Sequence, residues 1–270
     1  MGCTCGTETR ENTNPNIKDE DNKKLNKGEN KKVDIERNTE EAIKRVELIF
    51  DKEICKNINS TIPKRIQTNL QSLKDIMQNK VKNLAEIQKA YVLFLWICEN
   101  IDYDAQGYFN GSDVDCTPDG VFKNGKTVCS GYSRLYKDIS LPLGLNVECV
   151  SCYAKGVDYE PGKKMNGTNH EYNVINLNQK WYPIDSTWGA GHIEGKEYQK
   201  AFNEFYFLAD PELLIKSHFP QDEKWQLTKK KYTMEEFMKW PQINSNFHKY
   251  EFNKSSDSLA KLISYGAYLL

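Results

Sequence analysis

The chain has 270 residues, and 37 Lys+Arg against 38 Asp+Glu give a formal charge of −1. That balance excludes the basic excess a nucleic-acid surface needs to neutralise phosphates, so no nucleic-acid partner is expected. The longest apolar run, residues 90–98, is less than half of the roughly 20 residues a membrane span needs. The start of the chain has neither the apolar stretch nor the basic flank of a secretory signal, so a cytoplasmic protein is expected. Eight cysteines in an unexported chain of this size read as thiols, with catalysis or lipid attachment as the special cases.

Twelve of the 21 residues at positions 12–32 are Asn or Lys, and only Ile17 and Leu25 are large and apolar. Such a segment cannot bury enough surface to offset the cost of ordering its backbone, so residues 1–37 are expected to be a disordered leader. Order is expected from residue 38 to 270. Asn38 with Glu41 resembles a capping box, and Ile43, Val46, Phe50 and Ile54 recur at helical spacing. A second helix is predicted through Ile66, Leu70, Leu73 and Met77. A third follows Asn83 through Leu84, Ile87, Ala90, Tyr91, Phe94, Leu95 and Cys98; its second half is apolar almost all round and should be buried.

Beyond Leu143-Gly144, a helix-stop signal, the pattern turns to strands. Asn146-Val-Glu-Cys-Val-Ser-Cys-Tyr153 is rich in β-formers, and residues 170–177 and 180–185 form two short strand candidates around Asn178-Gln179, a plausible two-residue turn. Pro183 points to an edge or a bulge. Asp210-Pro211-Glu212 reads as a helix start, and Thr233 with Glu236 as a capping box closed by Pro241. Helices first and then a meandering sheet define an α+β domain.

The stretch Gly125-Lys-Thr-Val-Cys129-Ser-Gly-Tyr-Ser-Arg-Leu-Tyr136 carries the first chemical signal. With Thr127 as cap, Cys129 falls in the first turn of a helix, where the dipole and unpaired N–H groups favour thiolate and can hold an oxyanion. A thiol nucleophile needs an imidazole to take its proton, and the imidazole needs an orienting acceptor. If Asn178-Gln179 is a two-residue turn, Leu177 faces Lys180 and Tyr172 faces Asp185. His170 and Asp185 are then diagonal neighbours on one face, within side-chain reach; a three-residue loop would put them on opposite faces.

Other clusters carry less. Cys149 and Cys152 have redox or zinc spacing, but three residues apart on a strand they point to opposite faces and lack a second ligand pair, so no metal centre is expected. His192, His218 and His248 have no partner pattern and read as surface or loop histidines. Asp102, Asp104, Asp113, Asp115 and Asp119 read as a solvated loop whose spacing departs from an EF-hand; calcium is a minor alternative, and no cofactor is expected. Gly2, followed by Cys3 and Cys5, offers one site for myristate and two for palmitate, the two anchors stable membrane attachment requires. Gly6 stands where the myristoylation pattern has Ser or Thr, and an ordinary flexible start is the alternative.

Taken together, the Cys129 block, the His170 strand and the Asp185 strand resemble the transglutaminase-like superfamily of papain-type folds. Asp185-Ser-Thr-Trp-Gly-Ala-Gly191, Asn203-Glu-Phe-Tyr-Phe-Leu208, His218-Phe-Pro220 and Trp225-Gln-Leu227 are similar to its kyphoscoliosis-peptidase branch. The resemblance covers about residues 80–227. It implies a Cys129–His170–Asp185 triad on a helix packed against an antiparallel sheet, and acyl transfer from an amide of a protein substrate through a thioester. Water as acceptor gives peptidase or deamidase chemistry and a lysine amine gives cross-linking. The alternative is a non-catalytic scaffold of the same fold, bound to cytoskeletal proteins or to a membrane. Tyr172 stands where the family has Trp, a departure expected to alter the pocket wall. Trp96, Tyr103 and Gln106 are candidates for a side-chain oxyanion donor.

Overall fold

The computed structural model describes residues 50–243. The predicted leader, the Asn38–Glu41 box, the Gly2, Cys3 and Cys5 lipidation sites and His248 lie outside the described residues.

Three helices open the described region. The first, α1 (Lys52–Ser60), is capped by Asp51, whose carboxylate accepts from the amides of Glu53 and Ile54. The predicted run of helix from Phe50 into Ile54 is therefore corrected: Phe50 precedes the capping Asp51, outside α1, and its ring packs edge-on to Tyr91 at 5.1 Å. Helix α2 (Leu70–Val81) starts at Asn69, which caps through the Ser72 amide. Ile66 precedes that cap in a single 3-10 turn and is 80% exposed, so it is not part of the predicted apolar face. Helix α3 (Glu86–Asn100) is the predicted central helix, with all eight residues 91–98 buried. A short parallel pair, β1 (Asp102–Tyr103) with β2 (Lys126–Thr127), encloses α4 (Ala105–Phe109) and α5 (Pro118–Asn124).

Gly125 ends α5 with φ 70°, a left-handed position where glycine carries no side-chain penalty. The chain then enters α6 (Cys129–Ser140), which buries Tyr132, Leu135, Tyr136 and Ile139. The Tyr136 hydroxyl donates to Ala90 O at 3.0 Å and the Tyr132 hydroxyl to Ile101 O at 2.8 Å, locking α6 to α3 and its C-terminal end.

The main sheet comprises β3 (Asn146–Ala154), β4 (His170–Leu177), β5 (Lys180–Ile184) and β8 (His218–Pro220), antiparallel in the order β5-β4-β3-β8. Leu177 pairs with Lys180 and Asn173 with Ile184, the register of a two-residue turn; Asn178 and Gln179 both have positive φ, 50° and 64°. That is the signature of a type I′ turn, whose twist matches the strands it joins. Pro183 lies on the edge strand, where a missing N–H costs no interior ladder bond. After β5 come α7 (Ser186–Ala190), the small hairpin β6 (Gly191–Glu194) and β7 (Glu197–Lys200), and α8 (Pro211–Leu214), whose cap is the predicted Asp210. Finally α9 (Met234–Lys239) carries the predicted capping box, with Thr233 and Glu236 bonded reciprocally. It is held from within by buried Lys155, whose Nζ donates to Phe237 O at 2.7 Å and Trp240 O at 2.6 Å. Among the described residues no helix is long and apolar enough to cross a membrane.

Candidate active site

Cys129 is the first residue of α6, half-buried. The helix begins after Val128, which offers no side-chain cap. The expected Thr127 cap is corrected: Thr127 is buried, with its hydroxyl 3.8 Å from the Cys116 sulfur. Val128 O accepts from the amides of Gly131 and Tyr132, while those of Cys129 and Ser130 find no acceptor among the described residues. An uncapped helix start therefore presents two free N–H groups beside the sulfur. Gly131 permits this turn, because a Cβ there would lie 2.0 Å from Thr127 Oγ1.

Side chains from the sheet fix where this turn sits. One turn beyond Cys129, Ser133 O accepts from Asn173 Nδ2 at 3.0 Å, and the Ser133 hydroxyl bonds the Glu171 carboxylate. Both partners lie on β4, within three residues of His170. These bonds set α6 against the strand that starts at His170.

His170 and Asp185 meet as the hairpin register requires, with Nε2 2.7 Å from Oδ2, both side chains buried. Asp185 follows β5 and caps α7, its Oδ1 accepting from the Trp188 amide at 2.9 Å. The carboxylate is thus held by backbone on one oxygen and serves imidazole with the other. With Nε2 taken by Asp185, Nδ1 is the nitrogen left to face Cys129, whose sulfur is close enough to bear on the imidazole. Burial alone would push the imidazole down, but the Asp185 charge and its hydrogen bond, with the Cys129 sulfur, outweigh it and push His170 up to about 10. Asp185 is held well below the usual carboxylate range: burial would raise it, but His170 and then His218 more than offset that.

His218 corrects the sequence reading outright. It is no surface histidine but is 1% exposed on β8, with Nε2 3.0 Å from the same Asp185 Oδ2 and Nδ1 2.8 Å from Ser217 Oγ. Its sequence signal was the His218-Phe-Pro220 block of the family resemblance, which gave the histidine no partner, and the strand it forms has only three residues. His192, by contrast, is exposed on β6. Among the described residues, His170, Asp185 and His218 are the one His/Cys/carboxylate group whose atoms lie mutually within 4.8 Å. Distances of 2.7 and 3.0 Å to one shared oxygen are those of hydrogen bonds. Asp185 Oδ2 is the acceptor within hydrogen-bond distance of both rings.

Trp188 covers this group, its ring 5.6 Å from His170 and 4.4 Å edge-on to His218. Tyr172 is buried edge-on to His218 at 5.8 Å and lines a small cavity with it. Of the oxyanion candidates, Trp96 is buried with its Nε1 donating to Pro63 O, and Gln106 is exposed. Tyr103 lies near the sulfur, its hydroxyl pushed up by burial and then by the Cys129 charge. In the acidic cluster, Asp102 pairs with Lys200, Asp104 caps α4 and pairs with Lys126, and Asp115 accepts from Thr117. Cys149 is half-buried and Cys152 fully buried, and no second ligand pair joins them among the described residues.

A cysteine at a helix start, a histidine opening an antiparallel strand and an aspartate following the next are the arrangement expected of the transglutaminase-like superfamily, and the model of that superfamily matches residues 71–186. The domain is similar in sequence to kyphoscoliosis peptidases. It is 32% identical over 171 residues to the kyphoscoliosis peptidase of Mus musculus, covering 62% of this chain and 25% of that protein. It is 25% identical over 213 residues to hillarin of Drosophila melanogaster, covering 73% and 26%. It is also 26% identical over 195 residues to cytokinesis protein 3 of Schizosaccharomyces pombe, covering 71% and 21%. The chain spans about a quarter of the length of these relatives.

Proposed function

We propose that this domain transfers an acyl group from an amide of a protein substrate through a thioester on Cys129. The observation that carries the reading is the buried His170–Asp185 pair at 2.7 Å, with the ring's second nitrogen left to the sulfur at an uncapped helix start. His170 holds a proton at neutral pH, so the sulfur attacks as the thiolate of a thiolate–imidazolium pair. The C–S bond forms, and the Cys129 and Ser130 amides face the oxyanion. His170 gives its Nδ1 proton to the leaving nitrogen as the C–N bond breaks. Water or an amine then attacks the thioester and loses a proton to His170, and the thiolate leaves. Throughout, Asp185 keeps the imidazole in one orientation. Water as acceptor makes a peptidase or deamidase and a lysine amine makes a cross-linking enzyme; the peptidase name of the mouse relative favours water.

Selective alkylation tests this. At pH 6, Cys129 should react with iodoacetamide at least about tenfold faster than Cys116 and Cys149, which are similarly half-buried and serve as internal controls. Equal rates refute the activated nucleophile. A scaffold that retained the fold is the second reading, favoured by the name of the yeast relative; Cys129→Ala leaves a scaffold's cellular role intact and abolishes an enzyme's. Attachment to a membrane through acylated Gly2 with Cys3 or Cys5 is a separate proposal, and Gly2→Ala should move the protein to the soluble fraction.

A further inference from the structure

Two histidines share one oxygen of Asp185, and the proposed reaction uses only one of them. We infer that His218 is a positioning residue: a neutral imidazole that donates Nε2–H to Asp185 Oδ2, steadies the carboxylate beside His170 and takes part of its charge. The inference rests on the reaction proposed above, whose base and acid is His170.

Hydrogen-bond logic assigns the tautomer. Ser217 Oγ has one proton and two neighbours, His218 Nδ1 at 2.8 Å and Leu214 O at 3.2 Å. Were that proton given to Leu214, a neutral His218 would carry its own proton on Nδ1 and turn a bare Nε2 towards an anionic oxygen, two acceptors facing each other without a proton. The other arrangement satisfies every atom of the imidazole: Ser217 donates to Nδ1, and Nε2–H donates to Asp185. A doubly protonated His218 would place a second cation within 5.3 Å of the His170 ring, in a site with a single carboxylate. The titratable groups facing His218 are Asp185, His170 and the phenols Tyr172 and Tyr206. Burial holds His218 below its ordinary value despite the Asp185 bond, and the His170 charge adds to that.

The division of labour follows. When His170 gives up its proton, Asp185 is left as a buried anion, and the His218 N–H stabilises that state more than the charge-neutral pair that precedes it. His218 therefore makes the His170 imidazolium a better acid for the leaving nitrogen. Asp185 Oδ1 is already fixed by the Trp188 amide, so what His218 controls is Oδ2, the oxygen that meets His170.

Nitrogen-15 NMR of the full chain labelled at its four histidines tests this without a substrate. At pH 6.5 the signal lost in His218→Gln should be that of a neutral Nε2–H imidazole, while the His170 signal is doubly protonated. A charged His218, or an Nδ1–H tautomer, overturns the inference. His218→Gln, whose amide can still donate, should leave the His170 midpoint within a few tenths of a pH unit. His218→Leu, with no donor, should raise it by roughly one unit; equal midpoints in the two variants overturn the inference. Should His218→Leu not fold, the tautomer in the unaltered chain decides. Alkylation of Cys129 in the same samples keeps the two ideas apart: its failure removes the reaction and leaves the tautomer result standing.

Discussion

Gly131→Ala probes the link between packing and reactivity most directly. The new Cβ would stand 2.0 Å from Thr127 Oγ1, 2.7 Å from Cγ2 and 2.8 Å from Cβ. Thr127 is buried and β-branched, so turning χ1 only exchanges one clashing atom for another. Relief requires α6 to back away by roughly 1 Å, since nonbonded carbons settle near 3.5–4 Å. Overpacking of this kind costs about 1–3 kcal/mol, and a glycine-to-alanine change within a helix returns up to about 1 kcal/mol. After the full return the net loss is about 0–2 kcal/mol, which should lower Tm by up to roughly 8 °C. Because Cys129 occupies the same turn, its alkylation at pH 6 should fall by about tenfold or more, a larger effect than the stability loss would cause. Calorimetry and mass-spectrometric alkylation rates read the two effects separately. Adding Thr127→Ala removes two of the three clashing atoms and should restore most of both. A Gly131→Ala protein as stable and as reactive as the parent would refute the reasoning, as would a double variant no better than the single one.

Three further outcomes follow from the same geometry. His170 binds its proton more tightly folded than unfolded, so its contribution to stability is full below pH 6.5 and is lost as pH rises through about 10. Lys155, pushed down to about 8 by burial, works the other way above pH 8, so the quantity to read is the alkaline Tm slope of the parent minus that of His170→Gln, which should be negative. Asp185→Asn keeps a helix cap but takes the charge from His170; turnover should fall by at least about a hundredfold, and Tm below pH 6.5 should fall as well because the buried imidazolium loses its counter-charge, checked by kinetics and calorimetry side by side. Lys155→Met leaves the Phe237 and Trp240 carbonyls without their buried donor; it should cost about 1–3 kcal/mol and expose residues 233–242 to limited proteolysis well below the global Tm.

Much of this architecture was legible in the sequence, for reasons that differ by element. The His170–Asp185 pairing could be derived because a two-residue turn fixes strand parity, and parity decides which side chains share a face. The central helix was legible because residues 91–98 leave no polar face for solvent. Caps at Asp210 and Thr233 were legible because capping is local chemistry. The start of α6 was misread because Thr127 has a good capping side chain, yet tertiary packing turns it inward towards Cys116. Ile66 fits a helical spacing that Asn69 interrupts by capping three residues later. His218 was missed for a deeper reason: its partner lies 33 positions away, across a strand of three residues. No local periodicity encodes a contact of that kind.

Asp185 holds two offices at once, tethering an amide at the head of α7 with Oδ1 while Oδ2 addresses the imidazoles. Asn and Ser occupy such a helix head nearly as well as Asp. A lineage released from the reaction can therefore exchange this aspartate for either and keep the α7 cap, while His170 and His218 lose their shared acceptor. The cost of catalytic silence then falls on the two imidazoles and not on the α7 cap, and an intact fold in a relative says nothing of turnover unless the residues at positions 129, 170 and 185 are read as well.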